Sequence, residues 1–280
     1  MSSSELKKPS LAIDCEQVSR VLINFIRTEV RKVGFERVVL GLSGGIDSSL
    51  SAALAVRALG RENVLGVFMP YESSNPSSLA DARLLAESLG IRSLLSEITP
   101  MVKPYLEANP GMDQLRRGNV MARMRMIVLY DISAAERALV LGTSNKTEYL
   151  LGYSTLWGDM ACALNPLGDL YKNHVRQLSR FLEIPAPILQ KKPSADLWEG
   201  QTDEDEFGFT YDDADQLLYL LIDRRFLPDE VERLGYDRRL IDIIVRKVRT
   251  TQYKRHLPLI AKLSQRTINR DFRYPRDWGL

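Results

Sequence analysis

The 280-residue sequence is poor in the residue types that most often announce chemistry. Two cysteines, Cys15 and Cys162, are too few for a disulfide framework or a four-cysteine zinc site. Two histidines, His174 and His256, exclude a His-rich metal centre and the H-E-x-x-H arrangement. Neither charge sign dominates: 38 Lys and Arg face 36 Asp and Glu, a formal net charge of +2. That balance excludes a nucleic-acid binder working by bulk electrostatics and leaves room only for a local basic patch. There is no long apolar run. Residues 217–222, around Tyr219, fall far short of the ~20 needed to span a bilayer. Residues 1–10 are polar and lack the apolar core of a signal peptide. The expectation is a soluble, cytoplasmic, reduced protein with no membrane and no nucleic acid among its partners.

What is present suits an ordinary globular chain, with 45% hydrophobic and 26% charged residues and enough length for a sizeable core. Val18, Val21, Leu22, Phe25, Ile26, Val30 and Val33 recur at helical steps, with Gly34 as a stop. Short β-branched runs without polar alternation follow at 37–42 and 64–69, the pattern of strands buried on both faces. Further strands are expected at 91–98 and 138–142, with helices at 50–58, 77–89, 114–135, 174–183 and 211–223. Strand–helix alternation predicts an α/β fold with an open, mostly parallel sheet and helices on both faces. The chain after Tyr211 reads as a helical C-terminal extension. A single domain over 1–280, with 1–10 as a loose leader, is the simplest organisation.

The most informative segment is Gly41-Leu42-Ser43-Gly44-Gly45-Ile46-Asp47-Ser48-Ser49, between a buried strand and a helix. Open α/β sheets bind ligands at such places. Gly44 and Gly45 allow a tight turn and a close anion approach, the serines add hydroxyls, and the helix offers free amides. The loop is neither a Walker A motif nor a dinucleotide fingerprint. Asp47 would repel a phosphate unless a cation lay between them, and Mg²⁺ suits that role. A tight turn whose Asp caps the helix is the plainer alternative.

This loop resembles the pyrophosphate-binding loop of the N-type ATP pyrophosphatases. Three further stretches are similar to the NAD synthetase family within that group: residues 117–126, residues 141–148 and residues 152–172. The resemblance implies an adenine-nucleotide α-hydrolase-like, Rossmann-type fold. It places ATP against Gly41, Leu42, Ser43, Gly44, Gly45, Ile46, Asp47, Ser48, Thr143, Lys191 and Thr210. It places deamido-NAD against Arg123 and Lys254, and Mg²⁺ on Asp47 and Glu148. From the residues alone, Thr143–Asn145 also reads as a helix cap with Glu148 in the first turn. Two positions depart from many ammonia-dependent members: Leu156 stands for Lys and Ala163 for Asp, and 155–161 looks more like the glutamine-dependent enzymes.

The activity implied is ATP-dependent amidation of deamido-NAD by ammonia through an acyl-adenylate, releasing AMP and pyrophosphate. A homodimer is implied, with the dinucleotide near its interface. The motifs fill 41–258 and neither cysteine resembles a glutaminase nucleophile, so the nitrogen is expected as free ammonia or from a separate glutaminase. A tRNA thiolase, a GMP synthetase-like enzyme and a non-catalytic adenine-nucleotide sensor remain alternatives. The acidic run Asp203-Glu204-Asp205-Glu206 reads as a solvated loop or as part of a lid over 199–209. Cys162 has no activating neighbour and reads as packing.

Overall fold

A computed structural model describes residues 9–194 and 202–268. Helix α1 (Cys15–Lys32) starts at Asp14, whose carboxylate accepts the Gln17 amide. Strands β1 (Arg37–Gly41), β2 (Val64–Phe68), β3 (Arg92–Leu95) and β4 (Ala138–Val140) form one parallel sheet in the order β3-β2-β1-β4. The helices between them are α2 (Ile46–Leu59), α3 (Pro76–Leu89), α4 (Thr99–Glu107) and α5 (Gln114–Glu136). Alternation along β1 divides the core between two faces. Val38 and Leu40 join Ile26, Leu50 and Leu54 on one side, and Val39 joins Val102, Met121 and Val128 on the other. Helices therefore cover both faces, as expected.

In and around the sheet, β3 and α4 differ from the expectation. β3 is four residues rather than eight, and all four are exposed, because it is the sheet edge. α4 has no counterpart among the expected helices and carries two prolines. Pro100 falls in the first turn, where no amide is needed, and Pro104 forfeits a single rung.

The chain builds outward from β1 to β2 and β3, then returns to place β4 on the other side of β1. The loops leaving β1 and β4 thus flank the point where the strand order reverses, at the carboxyl end of the sheet. Beyond β4 come α6 (Lys146–Leu151), α7 (Lys172–Phe181), α8 (Ala186–Gln190), α9 (Asp203–Phe207) and α10 (Tyr211–Leu218). α10 runs into a wider turn closed by the Arg224 amide on the Tyr219 carbonyl at 2.9 Å. α11 (Pro228–Arg233) and α12 (Arg238–Thr250) complete a helical unit with its own core of Tyr211, Leu217, Leu218, Val231, Ile241 and Ile244. α7 is shared: Val175 and Leu178 pack in the sheet core, while Tyr171, just ahead of it, packs in the helical one. Among the described residues no helix is long and apolar enough to cross a membrane.

Candidate active site

The loop after β1 is held by its own serines. The Ser43 amide donates to Ser48 Oγ at 3.3 Å, and the Ser48 and Ser49 hydroxyls donate to the Gly45 carbonyl at 3.1 and 2.8 Å. α2 begins at Gly45 with no side-chain cap, so its first amides are left open to an anion. Gly44 has φ +74°, and a Cβ there would collide with the Ser78 carbonyl at the start of α3. Both constraints demand glycine.

The loop after β4 faces it. Asn145 caps α6 by accepting the Glu148 amide at 3.0 Å, while its own amide donates to Glu148 Oε2 at 3.1 Å. Its side-chain nitrogen also donates to Asp47 Oδ1 at 2.9 Å. The cap is thus realised, and the same residue ties the start of α6 to Asp47.

Between these two carboxylates lies a residue that sequence reasoning missed. The Lys172 ammonium, buried at the start of α7, donates to Asp47 Oδ2 at 2.5 Å and to Glu148 Oε1 at 3.4 Å. Burial and the nearby Asp47 push the Glu148 carboxyl up to about 8. Burial alone would lower the Lys172 ammonium, but Asp47 and Glu148 outweigh it and hold it charged. Lys172 is the positive charge that these two carboxylates share, and all three side chains line the cleft described next. Among the described residues no cluster of three or more His, Cys, Asp or Glu is arranged to hold a metal. Two carboxylates are nevertheless what Mg²⁺ commonly takes from a protein when phosphates supply the remaining oxygens, so the pair fits that ion.

Around this point opens a cleft of about 1450 Å³, lined by Gly41, Ser43, Asp47, Arg123, Thr143, Glu148, Lys172, Lys191 and Lys254 among others. It exceeds the ~300–1,000 Å³ usual for one small ligand. Lys191 reaches over the loop to Asp81 at 2.8 Å and Ser78 at 3.1 Å. Arg123 donates to the Leu156 carbonyl at 3.3 and 3.2 Å, and Lys254 to the Gly152 and Ser154 carbonyls at 2.8 and 2.7 Å. These two cations brace one wall, the 152–159 loop. Leu156 also lines the cleft.

Other expected residues stand apart. Thr210 is the cap of α10, exposed, with its hydroxyl donating to Asp213 at 2.8 Å, and it does not line the cleft. Gly44 shapes the loop from behind rather than lining the cleft. The acidic run is not a solvated loop: it forms α9, and Asp203 is buried against the Tyr211 hydroxyl, which donates to it at 2.8 Å. Of the expected lid over 199–209, residues 199–201 lie outside the described residues. Burial pushes the Cys162 thiol up to about 11, in keeping with a packing role.

Fold and site together define an α/β protein of the nucleotide-binding kind, with a helix start open to anions and two carboxylates bridged by a buried lysine at the sheet's switch point. The chain belongs to the NAD synthase family, whose model matches residues 18–258. It is similar to the NH(3)-dependent NAD(+) synthetase of Trichlorobacter lovleyi, 55% identical over 269 residues, 96% of this chain and 98% of that one. Among solved structures, the NH3-dependent NAD synthetase from Campylobacter jejuni is 34% identical with a TM-score of 0.76, over 90% of this chain and 100% of that one. The NMN synthetase from Francisella tularensis is 32% identical with a TM-score of 0.79, over 89% and 99%. The family uses ATP and forms a carbon–nitrogen bond.

Proposed function

We propose that this chain amidates the carboxylate of deamido-NAD with ammonia, at the expense of ATP. The carboxylate oxygen attacks the α phosphate, pyrophosphate leaves, and ammonia displaces AMP from the acyl-adenylate. The observation that carries this reading is the convergence of Asp47, Glu148 and Lys172 beside the uncapped start of α2.

An anion attacking a polyanion needs positive charge fixed in advance. The open amides of 46–48 and the Lys172 ammonium supply it from the floor of the cleft. Lys191 supplies it from the rim, exchanging Asp81 for phosphate oxygens. Mg²⁺, when bound, would be held by Asp47 and Glu148 and would neutralise phosphate charge. Thr143 lies on the ATP side of the cleft. Arg123 and Lys254 hold the wall against which the dinucleotide lies, with Leu156 replacing a charged contact by an apolar one. No side-chain nucleophile is needed; most of the remaining work is alignment of two large substrates.

Two copies of the chain pair through α5. Ile127 and Tyr130 are exposed on it and share a face with Arg123, so the dinucleotide wall adjoins the interface.

Pyrophosphate release that requires both deamido-NAD and ammonia is the expected result. Release of orthophosphate and ADP would overturn the scheme. Glutamine alone should not replace ammonia. The corresponding mononucleotide should be the poorer acceptor, and the reverse preference would reassign the substrate toward that of the Francisella tularensis relative.

A further inference from the structure

α7 is capped by its own residues only in part, through the Tyr171 amide, which donates to His174 Nδ1 at 3.3 Å. Its cap position is Tyr171, whose side chain makes no bond to the first-turn amides and instead donates to Asp223 at 3.1 Å. Buried amides at a helix start must find partners elsewhere. The Lys172 amide donates to Thr147 Oγ1 at 3.0 Å, and the Asn173 amide donates to Asp215 Oδ2 at 2.7 Å. The Thr147 hydroxyl donates in turn to Asp215 Oδ1 at 2.5 Å. Thr147 and Asp215 are both 0% exposed, so this closed set of bonds is shielded from water.

The geometry is economical. Asp215 follows Tyr211 by four residues on α10, so both side chains leave the same face. The Tyr211 ring lies 5.0 Å from the Lys172 ammonium. One face of α10 therefore grips Lys172 twice, with a ring near its charge and a carboxylate at the backbone of the next residue. Thr147 is also the residue before Glu148, but Glu148 is held separately by Asn145, so the clamp bears on the ammonium.

We propose that Asp215 is a positioning residue: through Thr147 and the first turn of α7 it sets Lys172 between Asp47 and Glu148, although it does not line the cleft itself. This rests on Lys172 serving ATP as read above. The rest of α7 is anchored independently by Val175 and Leu178 in the sheet core. Losing the clamp should therefore loosen the first turn rather than unpack the helix, and a shift of about 1 Å at such a group can cost roughly 100-fold in rate.

The test compares Asp215→Asn, Lys172→Met and the double variant, each assayed for pyrophosphate release and for MgATP affinity by calorimetry. Asp215→Asn should lower turnover about ten- to hundredfold and weaken MgATP binding, with the KM for deamido-NAD unchanged. In the Lys172→Met background it should add no further loss. Losses that multiply in the double variant would overturn the clamp alone. An unchanged Lys172→Met enzyme would overturn both the clamp and the reading of Lys172. Should Asp215→Asn fail to fold, Thr147→Val keeps the shape and removes only the connecting hydroxyl, and the same cycle with Lys172→Met decides the question.

Discussion

Gly44 carries two demands at one position: a positive φ and contact with the Ser78 backbone. Gly44→Ala should cost about 1–3 kcal/mol from the strained conformation alone, before the collision is counted. Urea unfolding reads that loss, and turnover should fall further because the loop that faces phosphate must move. A stable, fully active variant would show the turn to be plastic. This loop is legible in the sequence because its chemistry is local: two glycines, three serines and an aspartate between a buried strand and a helix. Lys172 is illegible for the opposite reason. It lies 125 residues from Asp47, within a long loop of no evident period, and only the parallel pairing of β1 with β4 and the packing of α7 bring it there. Thr210, expected at ATP only through the resemblance, has a local reading as well. A threonine three residues before an aspartate is a helix cap first, and the structure uses it as one.

At the scale of elements, α6 and α7 reach the site by different means. α6 carries its own cap and α7 borrows part of one. The short α6 was readable from Asn145 and Glu148, three apart, which is the spacing of a capping box. α7 was readable only as an amphipathic run, because the groups that finish its start come from α6 and α10. α9 escaped notice because four acidic residues suggest solvent, whereas Asp203 turns inward to Tyr211. The double duty of Asn145 gives a separable expectation. Asn145→Ala should lose about 1 kcal/mol of cap energy together with the bond to Asp47. Asn145→Ser should restore most of the stability, since serine caps as well, but its side chain is too short to serve Asp47. Melting temperature should therefore recover in the serine variant while pyrophosphate release stays low. Recovery of both would mean that the Asp47 bond is dispensable.

For the whole molecule, the strand order decides where chemistry can occur, and the outer surface decides how many copies take part. β3 ends the sheet as a four-residue exposed strand, too short to template a second sheet well. α5 is different. Gly118, Met121, Ala122 and Val128 face inward, and Ile127 and Tyr130 are left outside at 53% and 41% exposure. Arg123 stands on that outer face and braces the 152–159 wall through the Leu156 carbonyl. If α5 is the pairing face, then assembly and dinucleotide binding share a residue, whereas the ATP loop on β1 and α2 contributes no residue to that face. Ile127→Glu places a charge on the proposed seam without touching the core, so monomer stability should change by no more than about 0.5 kcal/mol. Sedimentation velocity should then show a shift from dimer to monomer. The KM for deamido-NAD should rise while the affinity for MgATP holds. A dimer that survives the substitution would move the interface elsewhere on the surface. A monomer with an unchanged KM would separate the dinucleotide wall from assembly.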